Sequence, residues 1–403
     1  MQRIISDQPY SFVPPRFSPL LYRVLSWILP RQLRKEHGIR AIECVGTEKL
    51  RASLEAGNGV ILVPNHLRPC DPLVLDTLAK EVGRPFSVMS SWHVFIGSRF
   101  QRFVAPRIGA FSIYREGMDR GSLKCSIKTV IKGEFPLVIF GEGFITRSND
   151  RLLSIREGPA FMARAAAKAR KDGKSIIHPI FMRYFFEGDL RETVLPVVEE
   201  IEHRLSWQPQ IHLPLGERIL KAGAALLGLK EIEYLNETRQ GTFRERLQHL
   251  IDHLLNPMED HWANSRHDGD AMVRVKRLRT AILRGMIGGN LSKEERGHRW
   301  RQLADLYLVQ QLHCYPGDYI EDATPERILE TVERYEEDLT DVARPHYPLR
   351  AVITVGDAIE VNCKLKRPRE NDPITAEIRE SLEKMLESSK SSRKLEPTGT
   401  DLS

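Results

Sequence analysis

Between residues 39 and 184, short apolar runs alternate with amphipathic stretches. The runs at 60–63, 86–89, 111–114, 137–140 and 176–182 are almost continuously apolar, as expected of strands covered on both faces. The segments between them, 71–82, 118–132 and 157–171, carry apolar positions at helical spacing, and the last is dense in alanine. Strands separated by helices predict an α/β fold with a mainly parallel sheet flanked by helices. From residue 193 to 342 the chain is charged, helix-patterned and nearly free of strand signals, with polar breaks at 258–270 and 288–293. Strand pattern returns at 349–355 and 358–361, and an amphipathic helix follows at 375–386. A large helical insertion within one α/β domain accounts for this order, and no internal repeat is evident. The expected division is an N-terminal interfacial or packing helix (1–38), an α/β core (39–190), the insertion (191–348), a returning strand and C-terminal helix (349–387) and a disordered tail (388–403).

Composition narrows the class. The 403 residues, 41% hydrophobic and 28% charged, suit a globular protein with an ample core, and the net charge of +6 favours anionic partners. The five cysteines are scattered without a CxxC pair, which argues against a disulfide framework or zinc ribbon and for a reducing compartment. The first 15 residues lack the apolar run of a signal peptide. No window approaches the roughly 18 consecutive apolar residues of a spanning helix. A protein of this kind that meets a membrane lies on it.

Four elements carry candidate chemistry. His66 follows a strand and precedes a helix, where α/β proteins place ligands. Asp71, five residues on, can fold back to the imidazole and fix its tautomer, although it equally suits a helix N-cap. The spacing alone is cheap, because His313 and Asp318 reproduce it without the strand–turn–helix context. The second element runs from Gly109 to Arg115 and delivers an arginine suited to phosphate or to an ion pair with Glu116 or Asp119. In the third, Phe140-Gly141-Glu142-Gly143, a glutamate flanked by glycines follows an apolar strand, with Thr146, Arg147 and Ser148 after it. In the fourth, Ile177-His178-Pro179, the histidine reads as a buried or interface residue. No group of His, Cys and carboxylates has metal-ligand spacing, so no metal is expected.

The order of these four elements resembles the glycerolphosphate and lysophosphatidate acyltransferase family, whose motifs are Asn-His-x4-Asp, Gly-x-x-x-Ile-x-Arg, Phe-Pro-Glu-Gly-Thr-Arg-Ser and a Val-Pro-Val strand. The resemblance covers residues 39–184 and about 349–386. Three departures stand out. Gly141 replaces the third motif's proline, Phe144-Ile145 separate Glu142-Gly143 from Thr146-Arg147-Ser148, and Arg68-Pro69 occupy the first motif.

The resemblance implies that His66 is a general base and Asp71 its orienting carboxylate. Arg115, Glu142, Gly143, Thr146 and Arg147 would bind the acceptor, with Arg68 adding a contact to an anionic group. The donor would be acyl-CoA or acyl carrier protein, with no cofactor, and the acceptor a lysophospholipid or glycerol phosphate. Such substrates imply a membrane surface, and a cytoplasmic chain peripheral on the inner face is expected. Apolar positions from Phe17 to Leu29, followed by Arg31, Arg34 and Lys35, fit an in-plane helix or one packed on the sheet; residues 215–230 present the same choice. The alternatives are an O-acyltransferase for another hydroxylated lipid and a non-catalytic lipid-binding scaffold. Basic runs at 274–279 and 364–369 lack any recognition element for nucleic acid and read as solvated faces or phospholipid contacts.

Overall fold

The computed structural model describes residues 5–263, 269–287, 289–315, 323–342, 344–364 and 372–393. β1 (Ile39–Val45), β2 (Val60–Pro64), β3 (Ser87–Ser91), β4 (Ala110–Ile113), β5 (Leu137–Val138), β6 (Lys174–Phe186), β7 (Leu349–Val355) and β8 (Ile359–Asn362) form one sheet. Its order is β1-β7-β6-β2-β5-β3-β4, with β8 also paired to β6. The β1–β7, β2–β6, β2–β5, β3–β5 and β3–β4 pairs are parallel, whereas β6 runs antiparallel to β7 and β8. This is an α/β fold with a mainly parallel sheet flanked by helices.

Burial on both faces explains the unbroken apolar runs. In β2, Val60 and Leu62 enter one core while Ile61 and Val63 enter the other, following the two-residue period of a strand. α1 (Pro19–His37), α2 (Thr47–Glu55) and α3 (Asp71–Glu81) pack on the first face. α4 (His93–Ile96) and α5 (Arg99–Arg107) follow β3. α6 (Arg120–Lys132) and α7 (Gly158–Ala169) cover the second face. Then come α8 (Leu190–Arg204), α9 (Leu215–Leu235), α10 (Phe243–Trp262), α11 (Ala271–Arg284), α12 (Lys293–His313) and α13 (Pro325–Thr340). Their apolar stripes share the first core, and α13 reaches β6. α14 (Pro373–Arg393) returns to the second face.

Several details differ from the sequence expectation. β1 is fully buried only at Ile39, with half-buried Ile42 and Cys44 among exposed residues, which hides it among polar neighbours. The β5 ladder is only two residues long, because residues 139 and 140 leave it to form the site loop. α10 continues to Trp262 through the buried Met258, past the anticipated break. α14 continues to Arg393, so residues 388–393 are helical rather than part of a disordered tail; residues 394–403 lie outside the described set.

The helical stretch also holds a periodicity that the apolar pattern conceals. Arg218, Arg246 and Arg274 recur every 28 residues. Each sits near the start of its helix and pairs with a fully buried glutamate near the end of the preceding one. Arg218 binds Glu202 at 2.7 and 2.9 Å, Arg246 binds Glu231 at 2.6 and 2.9 Å, and Arg274 binds Glu259 at 2.9 and 3.2 Å. Two polar positions per helix define the repeat, while the apolar residues between them vary. Arg274 is therefore a buried clamp and not part of a solvated face.

Candidate active site

The parallel strands direct their C-terminal ends to one side of the sheet, and His66, Arg115 and Glu142 lie just beyond the ends of β2, β4 and β5. Asp71 is wholly buried at the first position of α3, whose N-cap is Cys70. Asp71 Oδ2 accepts from His66 Nδ1 at 2.8 Å and from the backbone N–H groups of Leu67 and Arg68 at 2.6 and 2.9 Å. Its Oδ1 accepts from the Tyr184 hydroxyl at 2.6 Å. Burial, then the neighbouring Asp71, raises the Tyr184 pKa well above its usual value, so the hydroxyl remains a donor. With Nδ1 donating to a carboxylate, the free lone pair of His66 is on Nε2. The ring also stacks on Phe140, with centroids 4.0 Å apart.

Glu142 faces inward. It is 3% exposed, and its oxygens accept from His66 N at 2.9 Å and Leu153 N at 2.8 Å. It joins the first and third motifs through their backbones, so it is a positioning residue and not a direct ligand. Gly143 beside it turns at φ +68°, where a Cβ would also lie 2.7 Å from Arg156 Nε. Thr146 is likewise turned inward, its N and Oγ1 donating to His66 O at 2.8 and 3.1 Å.

Burial pushes the Glu142 pKa up to about 8, against the pull of its two backbone donors. An unfolded glutamate ionises near pH ~4.3. Between that value and about 8 the folded chain therefore holds one proton more than the unfolded chain. Stability from this group is full at acid pH and is lost as pH rises, by up to about 1.4 kcal/mol per pH unit. Glu142→Gln should remove that slope. Urea denaturation of both proteins at several pH values from 5 to 8 tests this, and a constant wild-type-minus-variant difference would show that Glu142 is ionised in the fold.

Two asparagines tie these loops to β6. Asn65 donates to Met182 O at 3.0 Å and accepts from Met182 N at 2.7 Å. Asn149 repeats the arrangement at Tyr184, at 3.0 and 2.8 Å. The two side-chain amides thus satisfy β6 where β2 has ended, as a further strand would. Asn149 also donates from its side chain and its backbone to Glu330 of α13.

His66 opens onto a cavity of about 460 Å³ that Arg115, Gly143, Arg147, Arg156, Lys276 and Arg279 also line. Arg115 lies two residues beyond β4, and its guanidinium donates to Gly143 O rather than pairing with Glu116 or Asp119. Arg147 adopts a left-handed φ of 54°, and its guanidinium is taken by Glu337 of α13. Arg68 does not join the cavity. It binds Glu333 at 3.3 Å, covers the Tyr184 ring and lines a separate cleft against α13, so its expected role as a substrate contact is replaced by a brace.

His178 is buried, bonded to Ser53 Oγ and Gly356 O, both at 2.9 Å. His313 faces Asp270 at 3.4 Å, and Asp318 lies outside the described residues. Sequence reasoning assigned no site role to Asn149, Tyr184, Arg156 or the acidic face of α13, and it read Lys276 and Arg279 only as part of the basic run 274–279. Among the described residues no group of three His, Cys, Asp or Glu is placed to hold a metal.

The model of a family described as Acyltransferase matches residues 41–183. That span runs from β1 into β6 and contains His66, Asp71, Arg115 and Glu142, while α8 to α13 lie outside it. No curated protein matches the chain significantly.

Proposed function

Residues 41–183 being a domain of the acyltransferase family, we propose that the chain moves a fatty acyl group from acyl-CoA or acyl carrier protein to a hydroxyl of a glycerol phosphate or lysophospholipid. The observation that carries this reading is the His66–Asp71 pair, held through Nδ1 at 2.8 Å with Nε2 left for the cavity. Nε2 takes the proton of the acceptor hydroxyl as its oxygen attacks the thioester carbonyl. The tetrahedral centre then expels the thiolate, which recovers that proton from the imidazolium, so atoms and charge balance without an acyl-enzyme. Cys70, the nearest thiol in sequence, is buried against Tyr184, and burial pushes its pKa up to about 12, which unsuits it as a nucleophile. No cofactor enters this scheme.

A membrane surface would supply the acceptor. Among the described residues no helix is long and apolar enough to cross a membrane. Leu20 and Trp27 of α1 are 74% and 70% exposed, and Phe100 and Phe103 of α5 are 66% and 52% exposed. The two helices are joined by backbone hydrogen bonds from Arg16 and Ser18 to Pro106 and Arg107. Exposed Arg99 and Arg102 flank the phenylalanines, a combination suited to an anionic bilayer. The double variant Phe100→Ser, Phe103→Ser should float with anionic vesicles less than wild type, and undiminished flotation would remove this patch from consideration.

The function itself is tested by offering the purified chain acyl-CoA and acyl carrier protein with a panel of acceptors. The panel includes glycerol 3-phosphate, lysophosphatidate and monoacylglycerol, with products read by mass spectrometry. An acylated phosphate-bearing product is expected. Acylation of another hydroxylated lipid alone would change the acceptor, and no product from any acceptor would overturn the enzyme reading.

A further inference from the structure

The distribution of charge in the cavity is uneven. Five cations line it, Arg115, Arg147, Arg156, Lys276 and Arg279, against one carboxylate, Glu116. Arg147 is neutralised by Glu337. Arg279 is buried and lies 3.7 Å from Glu116. Among the described residues Arg115 and Arg156 have only backbone carbonyls, those of Gly143 and Glu142, as side-chain partners. Lys276 is exposed at the rim with no carboxylate within 4 Å among the described residues. The buried Nδ1 of His93, which also lines the cavity, has no hydrogen-bond partner among the described residues.

Four guanidinium and ammonium groups sharing one carboxylate repel each other. Burial and then the neighbouring cations lower the pKa values of Arg156 and Lys276, and those of Arg115 and Arg279 fall chiefly by burial. A cluster left in this state is complementary to an anion of more than one charge. Two of the four groups, Lys276 and Arg279, lie one turn apart on α11, outside the span that the family model matches. Their neighbours Val275 and Leu278 are buried in the core and fix the face that α11 presents. Arg274, three residues before Arg277 and two before Lys276, anchors the helix to α10 through Glu259.

We infer that Lys276 and Arg279 of α11 complete, with Arg115 and Arg156, a receptor for a phosphomonoester dianion at the end of the His66 cavity. The helical stretch thereby selects the charge of the substrate. The inference rests on the acyl-transfer reading of this cavity. A phosphomonoester reaches it from either substrate class, as the phosphate of a glycerol phosphate acceptor or as the 3′-phosphate of a CoA thioester. A neutral acceptor and the phosphodiester of a carrier protein both lack the second charge.

Equilibrium binding to the full chain tests this without requiring turnover. The probes are glycerol 3-phosphate against glycerol, and CoA against 3′-dephospho-CoA. At least one phosphorylated member should bind about tenfold or more tightly than its partner, since charge-assisted hydrogen bonds are at stake. Lys276→Met and Arg279→Gln should each erase most of that preference by weakening the member that carries the phosphomonoester far more than the member that lacks it, and Lys276→Arg should retain it. Preference in the first pair assigns the acceptor, and preference in the second assigns the donor. Circular dichroism separates misfolding of the Arg279 variant from loss of binding, and exposed Lys276 provides an independent arm. Equal affinities within both pairs, or a preference untouched by Lys276→Met and Arg279→Gln, would overturn the inference. Intact phosphate preference in a chain that acylates nothing would instead overturn the acyl-transfer reading and leave the receptor standing.

Discussion

Asp71→Asn should lower kcat for acyl transfer by about 10²- to 10⁴-fold, the range spanned by losing an oriented general base. KM should change little, because Asp71 is buried behind His66 and does not line the cavity. Both orientations of the amide fail. With its oxygen toward His66, the imidazolium formed during proton transfer loses its counter-charge. With its nitrogen there, His66 is driven to the tautomer that carries a proton on Nε2, and the N–H groups of Leu67 and Arg68 lose their acceptor. Steady-state kinetics at saturating donor and acceptor check the size of the loss. A variant keeping more than a tenth of wild-type kcat would reduce Asp71 to a residue that shapes the loop.

The largest stability effect is expected at Asn149. Its side chain serves both the N–H and the C=O of Tyr184 and one oxygen of Glu330, and all of these are buried. Alanine would leave the two backbone groups of Tyr184 without a partner, at about 1–3 kcal/mol each or about 2–6 kcal/mol together, while Glu330 would lose one donor and keep the backbone N–H of residue 149. Because Tyr184 also holds Asp71 at 2.6 Å, the loss should loosen the dyad as well as the fold. Urea denaturation measures it. A destabilisation below 1 kcal/mol would mean that water reaches β6 at this point and replaces the amide.

The central strands of the α/β core were legible because burial on both faces leaves a plain apolar signature, as in β2 and β6, whereas β1 lacks it. The His66–Asp71 pair was legible for a different reason. His313 shares its spacing, so only the strand before His66 and the ordered motifs after it single it out. What the sequence could not reveal is the effect of distant segments on the motifs. Two of the three departures from the family pattern, Arg68 and the inserted Phe144, meet the helical stretch, as does Arg147 beyond the insertion. Arg68 binds Glu333, Arg147 binds Glu337, and the inserted Phe144 packs with Met272 and Cys314. Such pairs are separated by more than 100 residues and have no local periodicity to betray them. Roles for Arg68 and Arg147 carried over from the motif alone therefore placed them on substrate, whereas α13 claims their guanidinium groups. The motif alone points Glu142 at substrate, whereas burial turns it toward two backbone amides. The basic run at 274–279 shows the same limit within one helix: Arg274 is a clamp, Val275 and Leu278 are core, and Lys276 and Arg279 face the cavity.

The proposed mechanism places the reaction on His66, and the rate of acyl transfer by His66→Ala is its most direct test. It should be made with saturating acyl thioester and whichever acceptor the wild-type chain acylates, with product quantified by mass spectrometry and folding checked by thermal denaturation. A folded variant slowed by about 10²- to 10⁴-fold is the expected result. A folded variant that transfers acyl groups at the wild-type rate would contradict His66 as the general base.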